Sequence, residues 1–165
     1  MKTVFLVRHA KSSWKDTSLD DIDRPLNKRG QRDAPFMGKL LRGRGVVPDR
    51  LISSPANRAL TTAQHFAKAF GMDKGSVLVE ESLYESYPDA IQSLIQGLDG
   101  ELKTVLLFSH NPTLTTFVNR YASDYIANVP TCGIVQLESR VDQWSDFAPD
   151  TAKVKAFYYP KQYFT

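Results

Sequence analysis

Val4-Phe5-Leu6-Val7-Arg8-His9-Ala10-Lys11-Ser12-Ser13-Trp14 is the stretch on which the reading of this chain turns. From Val4 to Val7 every residue is apolar, without the alternation of a half-exposed strand. That pattern predicts a strand over Thr3–Val7 buried on both faces, the signature of a parallel sheet covered by helices. The run stops abruptly at Arg8-His9, so the strand delivers a guanidinium and an imidazole to its C-terminal end. In α/β proteins that edge of the sheet is where ligands bind. Arginine meets phosphate with a planar fork of donors, and histidine can act as a nucleophile. Successive strand residues point to opposite faces, so the two side chains share a pocket only if the strand breaks between them. The polar Lys11-Ser12-Ser13 that follows suits such a break.

Working outward, strands and helices alternate. A helix is expected from Lys28–Gly30 to about Gly43, and a short strand over Arg50–Ser53. A second helix is expected from Pro55, with Ser54 as its N-cap and ending before Gly71. Val77–Val79 reads as a short strand, Asp89–Leu98 as a helix and Thr104–Phe108 as another buried strand. Asn111-Pro112 repeats the cap-plus-proline start and opens a helix to about Tyr121. Gly133–Leu137 and Val154–Tyr159 read as late antiparallel strands. The alternation predicts an α/β fold, a mainly parallel sheet with helices on both faces in three layers. No repeat or long linker divides the chain, so its 165 residues are read as one domain, 1–165.

Composition narrows the function classes. With 42% hydrophobic and 24% charged residues the chain is of ordinary globular type. No apolar run approaches the roughly 20 residues that cross a bilayer, and the N-terminus leads into a strand without a signal-peptide pattern, so no membrane association is expected. The single Cys132 excludes an intrachain disulfide and points to a cytoplasmic setting. A net charge of +3 favours a phosphorylated partner but falls far short of a nucleic-acid footprint.

Two further strand ends carry polar groups that match Arg8-His9. Ser53-Ser54-Pro55-Ala56-Asn57-Arg58 places Arg58 in the first turn of its helix, and Ser109-His110-Asn111-Pro112 places His110 between strand and helix. In a parallel sheet these ends share one edge, and helix N-termini there add a positive dipole end. Two arginines and two histidines thus converge on a pocket suited to a tetrahedral dianion. Any one of them alone would read as a surface cation or an edge histidine. Four at matching places do not. His65, in mid-helix with no motif around it, is read as structural.

Arg8-His9-Ala10-Lys11-Ser12 resembles the arginine-histidine-glycine motif of the histidine phosphatase superfamily, with Ala10 in place of the usual glycine. Lys11-Ser12-Ser13-Trp14 makes it more similar to the SixA-type phosphohistidine phosphatase branch. The resemblance continues through Asp23-Arg24-Pro25-Leu26, Arg29-Gly30, Ser53 to Ala59 with Thr62-Ala63, and Ser109-His110-Asn111-Pro112. It implies a phosphoglycerate mutase-like fold, with His9 as the nucleophile that becomes phosphohistidine. Arg8, Arg58 and His110 are implied as its phosphate-binding partners, and Ser12 of the same motif as a further substrate contact. The wider family uses an acid after the third strand as proton donor, and Glu85 stands closest to that spacing. The resemblance implies neither metal nor cofactor, and the histidines and carboxylates show no metal-ligand spacing. The function expected is removal of phosphate from phosphohistidine on a protein. The alternatives are a small-molecule phosphomonoesterase or mutase of the same superfamily, or a non-catalytic phosphate-binding module.

Overall fold

Strand β1 (Lys2–Arg8) occupies an interior position, and its alternate residues feed two separate cores. The computed structural model describes residues 1–164. Around β1 it arranges α1 (Lys28–Gly43), β2 (Arg50–Ser53), α2 (Asn57–Ala69), β3 (Leu78–Val79), α3 (Pro88–Gln96), β4 (Thr104–Ser109), α4 (Thr113–Asn119), β5 (Ile134–Ser139) and β6 (Ala152–Tyr158). The six strands form one sheet in the order β3-β2-β4-β1-β5-β6. β1 pairs in parallel with β4, β4 with β2 and β2 with β3, while β5 and β6 close the other edge antiparallel.

The unbroken apolar runs of β1 and β4 follow from this placement. Val4, Leu6, Val105 and Leu107 pack against Ile91 and Ile95 of α3 and Leu114, Phe117 and Val118 of α4. Phe5, Val7, Leu106 and Phe108 face the other way, toward Ala34, Met37 and Leu41 of α1 and Ala63, Phe66 and Ala67 of α2. The chain is therefore a three-layer α/β sandwich, as its alternation predicts. No helix among the described residues is long and apolar enough to cross a membrane.

Two helix starts differ from expectation. α2 begins at Asn57 with Ala56 at its cap, not at Pro55 with Ser54 capping. The Ser54 hydroxyl is engaged elsewhere: it accepts from the Ala56 amide at 3.2 Å and lies 2.7 Å from His110 Nε2. α4 begins at Thr113 and ends at Asn119, shorter than the sequence suggests. Asn111 still serves its start, because its side-chain oxygen accepts from the Thr115 amide at 3.1 Å. That bond, with Leu114 N–H donating to the His110 carbonyl, engages two amides of the first turn of α4 within the chain.

The topology creates the site. The chain leaves β1 toward the α1/α2 layer and leaves the neighbouring β4 toward the α3/α4 layer. Adjacent parallel strands whose connections depart to opposite faces open a crevice at their C-terminal ends. Arg8 is the register partner of Ser109, so the residues that enter this crevice next are His9 and His110.

Candidate active site

β1 ends at Arg8, and the chain breaks at His9 as the two side chains require. Several bonds fix the break. His9 N–H donates to the Ser109 carbonyl, and the Cys132 amide donates to the carbonyls of both Arg8 and His9. The Ala10 amide donates to Thr62 Oγ1 on α2 at 3.0 Å. Behind this turn Gly30 packs so closely that a Cβ would stand 2.2 Å from the Lys11 carbonyl oxygen, which only glycine permits.

The His9 ring is held in one sense. Its Nδ1 lies 2.8 Å from the Ala10 carbonyl oxygen. A carbonyl can only accept, so Nδ1 carries the proton and Nε2 keeps its lone pair. Burial first, offset in part by the Ala10 bond, and then the charges of His110, Arg58 and Arg8, push the His9 pKa down to about 3. The two arginines lower this pKa, with desolvation as the larger cause.

His110 faces it, with ring centroids 5.1 Å apart and planes inclined by 51°. Burial and the neighbouring arginines, chiefly Arg58, lower its pKa to about 4, against the opposing charge of Asp21. Both rings are therefore neutral in the free protein at pH 7. Tyr84 lies edge-on to His110 at 5.6 Å.

The cations come from both sides. Arg8 Nη1 donates to the Val129 carbonyl at 3.1 Å, and burial lowers the Arg8 pKa. Arg58, in the first turn of α2, donates from Nη1 to the Asp21 carbonyl at 2.7 Å and from Nη2 to Asp21 Oδ2 at 3.0 Å. Arg8 Nε, Arg58 Nε and His110 Nδ1 are buried without a hydrogen-bond partner among the described residues. Buried donors are rarely left unpaired. Two guanidinium nitrogens and one imidazole nitrogen on three residues of one crevice are thus free to bond an oxyanion.

Arg8, His9, Arg58 and His110 are thus brought together. Ser12 is not joined to them: it is buried at an isolated bridge to Leu26, and its hydroxyl bonds to none of the four. Glu85 is exposed, with φ at +50°, and lines a neighbouring cleft of about 390 Å³ that also contains Tyr87, His110 and Asn111. Lys11 is exposed, and His65 lies half-buried on α2 in a separate cleft with Thr61 and Lys68. A wider cleft of about 580 Å³, bordered by residues 122–128 and β6, contains no histidine or arginine.

Sequence reasoning missed a second ring of residues. Asp21 receives Tyr84 Oη at 2.8 Å as well as Arg58, and its Oδ1 receives Arg24 Nε at 3.2 Å. Arg24 in turn stacks 3.4 Å from the ring centre of the exposed Trp14. Burial works against the Asp21 charge, but the bonds from Tyr84 and Arg58 and the charges of Arg58 and Arg24 hold its pKa at about 2. The cluster Asp20, Asp21, Asp23 ahead of Arg24 was the one signal for it.

With this geometry the chain can be set beside known proteins. The profile of the Histidine phosphatase superfamily (branch 1) matches residues 4–94. An uncharacterized protein of Mycobacterium leprae is 30% identical, over 94% of this chain and 100% of its own. A structure from Agrobacterium tumefaciens, assigned as the phosphohistidine phosphatase SixA, superposes with TM-score 0.81 at 28% identity, covering 96% of this chain and 98% of that one. The protein histidine phosphatase SixA complexed with tungstate superposes with TM-score 0.82 at 21% identity, covering 97% and 98%, a likeness of fold.

Proposed function

The chain belongs to the histidine phosphatase superfamily, and we propose that it is a metal-independent phosphatase that removes phosphate from phosphohistidine on a protein. The observation that carries this reading is the His9 imidazole, locked by Ala10 with Nε2 free and surrounded by donors without partners. Its resemblance in structure to the Agrobacterium protein supports the substrate class.

The steps follow from the groups present. The phosphoryl group enters the crevice and its oxygens accept from Arg8 Nε, Arg58 Nε and His110 Nδ1, the last carrying its proton while Nε2 accepts from the Ser54 hydroxyl. His9 Nε2 attacks phosphorus, a new N–P bond forms and the bond to the leaving group breaks. Charge on the equatorial oxygens is stabilised by the two guanidiniums, which are already in place. Water then attacks phospho-His9, releasing orthophosphate and restoring the free imidazole.

The leaving group decides the substrate. Asp21 is held as a carboxylate by its cations and Tyr84 is engaged as its donor, so neither is poised to protonate an alkoxide. A phosphohistidine ring protonated on its second nitrogen departs as neutral imidazole, whose conjugate acid has a pKa of about 6.5, so its departure needs no proton from the protein. That favours phosphohistidine over sugar phosphates. A turnover comparison of a phosphohistidine protein, p-nitrophenyl phosphate and a panel of sugar phosphates tests the reading. Sugar phosphates turned over as fast as the phosphohistidine protein would sink it.

A further inference from the structure

Arg58 meets Asp21 through one edge only. Both terminal nitrogens are engaged there, Nη1 with the backbone oxygen and Nη2 with the carboxylate. A guanidinium is planar and carries its five hydrogens in fixed directions. If its end edge is clamped by two acceptors of one residue, the side edge remains: Nε–H and the second hydrogen of Nη2, parallel to each other. Nε is the nitrogen that is buried and without a partner. Asp21 is itself braced, by Tyr84 at 2.8 Å on one oxygen and Arg24 at 3.2 Å on the other. Its segment is tied to α2 a second time by Asn57 Nδ2, which donates to the Asp23 carbonyl at 3.1 Å.

We propose that Asp21 is a positioning residue that clamps the end edge of Arg58 and so presents its side edge, Nε and Nη2, to the phosphoryl group. Without the clamp a free arginine side chain samples many rotamers, and ordering it has to be met from the binding energy of each substrate. With the clamp the fork stands ready in the orientation a phosphoryl group needs. The inference rests on Arg58 belonging to the phosphoryl pocket and does not depend on phosphohistidine being the substrate.

The test uses the full chain, with p-nitrophenyl phosphate turnover and the Kd of orthovanadate as separate readouts. Asp21→Ala is expected to lower kcat and weaken orthovanadate by about tenfold or more. Asp21→Asn keeps an acceptor for Nη2 while losing the charge, and should recover both readouts to within about threefold of the native chain. In an Arg58→Ala background, Asp21→Ala should change either readout by no more than about twofold, because its partner is gone. Equal losses from Asp21→Ala with and without Arg58 would assign Asp21 a general structural role and overturn the proposal. So would an Asp21→Asn chain as impaired as Asp21→Ala, or an Asp21→Ala chain unimpaired in both readouts. A native chain that binds orthovanadate but turns over no phosphate removes the phosphatase reading alone, because the orthovanadate arm still tests the clamp. A native chain that does not bind orthovanadate removes the pocket and the clamp together.

Discussion

His9 and His110 stand one residue beyond the register pair Arg8–Ser109, on adjacent parallel strands whose chains leave to opposite faces of the sheet, and their rings lie 5.1 Å apart. The sheet register itself therefore sets the spacing of the two imidazoles. A phosphoryl group bonded by His9 Nε2 would meet His110 beside it from the adjacent strand, and the arginines need only close the remaining directions.

Covalent phosphorylation of His9 during turnover is the first expected outcome. Its Nε2 is the one pocket imidazole nitrogen that the Ala10 bond leaves with a lone pair by necessity. Rapid quenching at alkaline pH with a labelled substrate should trap phosphate on His9. His9→Ala should abolish turnover, and near-native activity in that variant would refute the assignment.

The four residues of the pocket were legible from local pattern: Arg8 ends β1, His9 and His110 directly follow β1 and β4, and Arg58 falls in the first turn of the helix that follows β2. The second ring was not. Arg58 reaches Asp21 across 37 residues, Tyr84 reaches Asp21 across 63 and His110 reaches Ser54 across 56. Such contacts are set by how α2 and the 3-10 turn Asp21–Asp23 settle against the sheet, and local pattern does not encode them. The misplaced start of α2 has the same origin. Ser54-Pro55 has the local chemistry of a helix start, but the Ser54 hydroxyl is drawn to His110 on another strand.

Arg58→Ala should lose about 10²–10³ in kcat/KM, the range for removing one preorganised donor to a transition-state oxyanion. Lys11 is exposed at the rim, and Lys11→Ala should stay within about threefold of native, as expected for a screened surface charge. Steady-state kinetics on p-nitrophenyl phosphate compares the two. Losses of equal size would contradict the layout.

Gly30→Ala probes the turn that carries His9. The added Cβ would meet the Lys11 carbonyl at 2.2 Å, so the backbone behind His9 must shift. Overpacking of this kind costs about 1–3 kcal/mol, and activity should fall further than stability because His9 is displaced. Thermal denaturation beside kinetics reads both. A Gly30→Ala chain with native kcat would show that this contact does not position the site.

The pH dependence follows from the two imidazoles, whose pKa values are lowered to about 3 and about 4. Both are depressed below their unfolded value of about 6.5, so between these limits the unfolded chain binds more protons than the folded one. Stability contributed by the neutral rings is complete above about 6.5 and is lost as the pH falls toward the folded pKa values. NMR titration of the free protein should show neither His9 nor His110 protonating between pH 8 and about pH 5. A midpoint near 6.5 for either ring would contradict the burial that shapes the pocket.

The last expectation concerns metal and leaving group together. In the proposed mechanism the charge on the phosphoryl oxygens is met by Arg8 and Arg58, and no group of three or more His, Cys, Asp or Glu among the described residues could hold a metal ion. Turnover should survive EDTA, and a loss restored by magnesium would overturn a side-chain mechanism. With Asp21 and Tyr84 engaged with each other and Glu85 exposed in the neighbouring cleft, acid assistance to the leaving group is weak, and rate should track leaving-group basicity: phosphohistidine fastest, aryl phosphates next, alkyl phosphates slowest. Glu85 is exposed and borders the cleft beside His110, so it is the residue that could supply a proton if one were needed. Glu85→Gln should therefore leave phosphohistidine turnover within about twofold of native while depressing any alkyl phosphate turnover by about 10² or more. Efficient hydrolysis of a sugar phosphate that collapses in Glu85→Gln would instead identify Glu85 as a working general acid and move the substrate class to small phosphate esters.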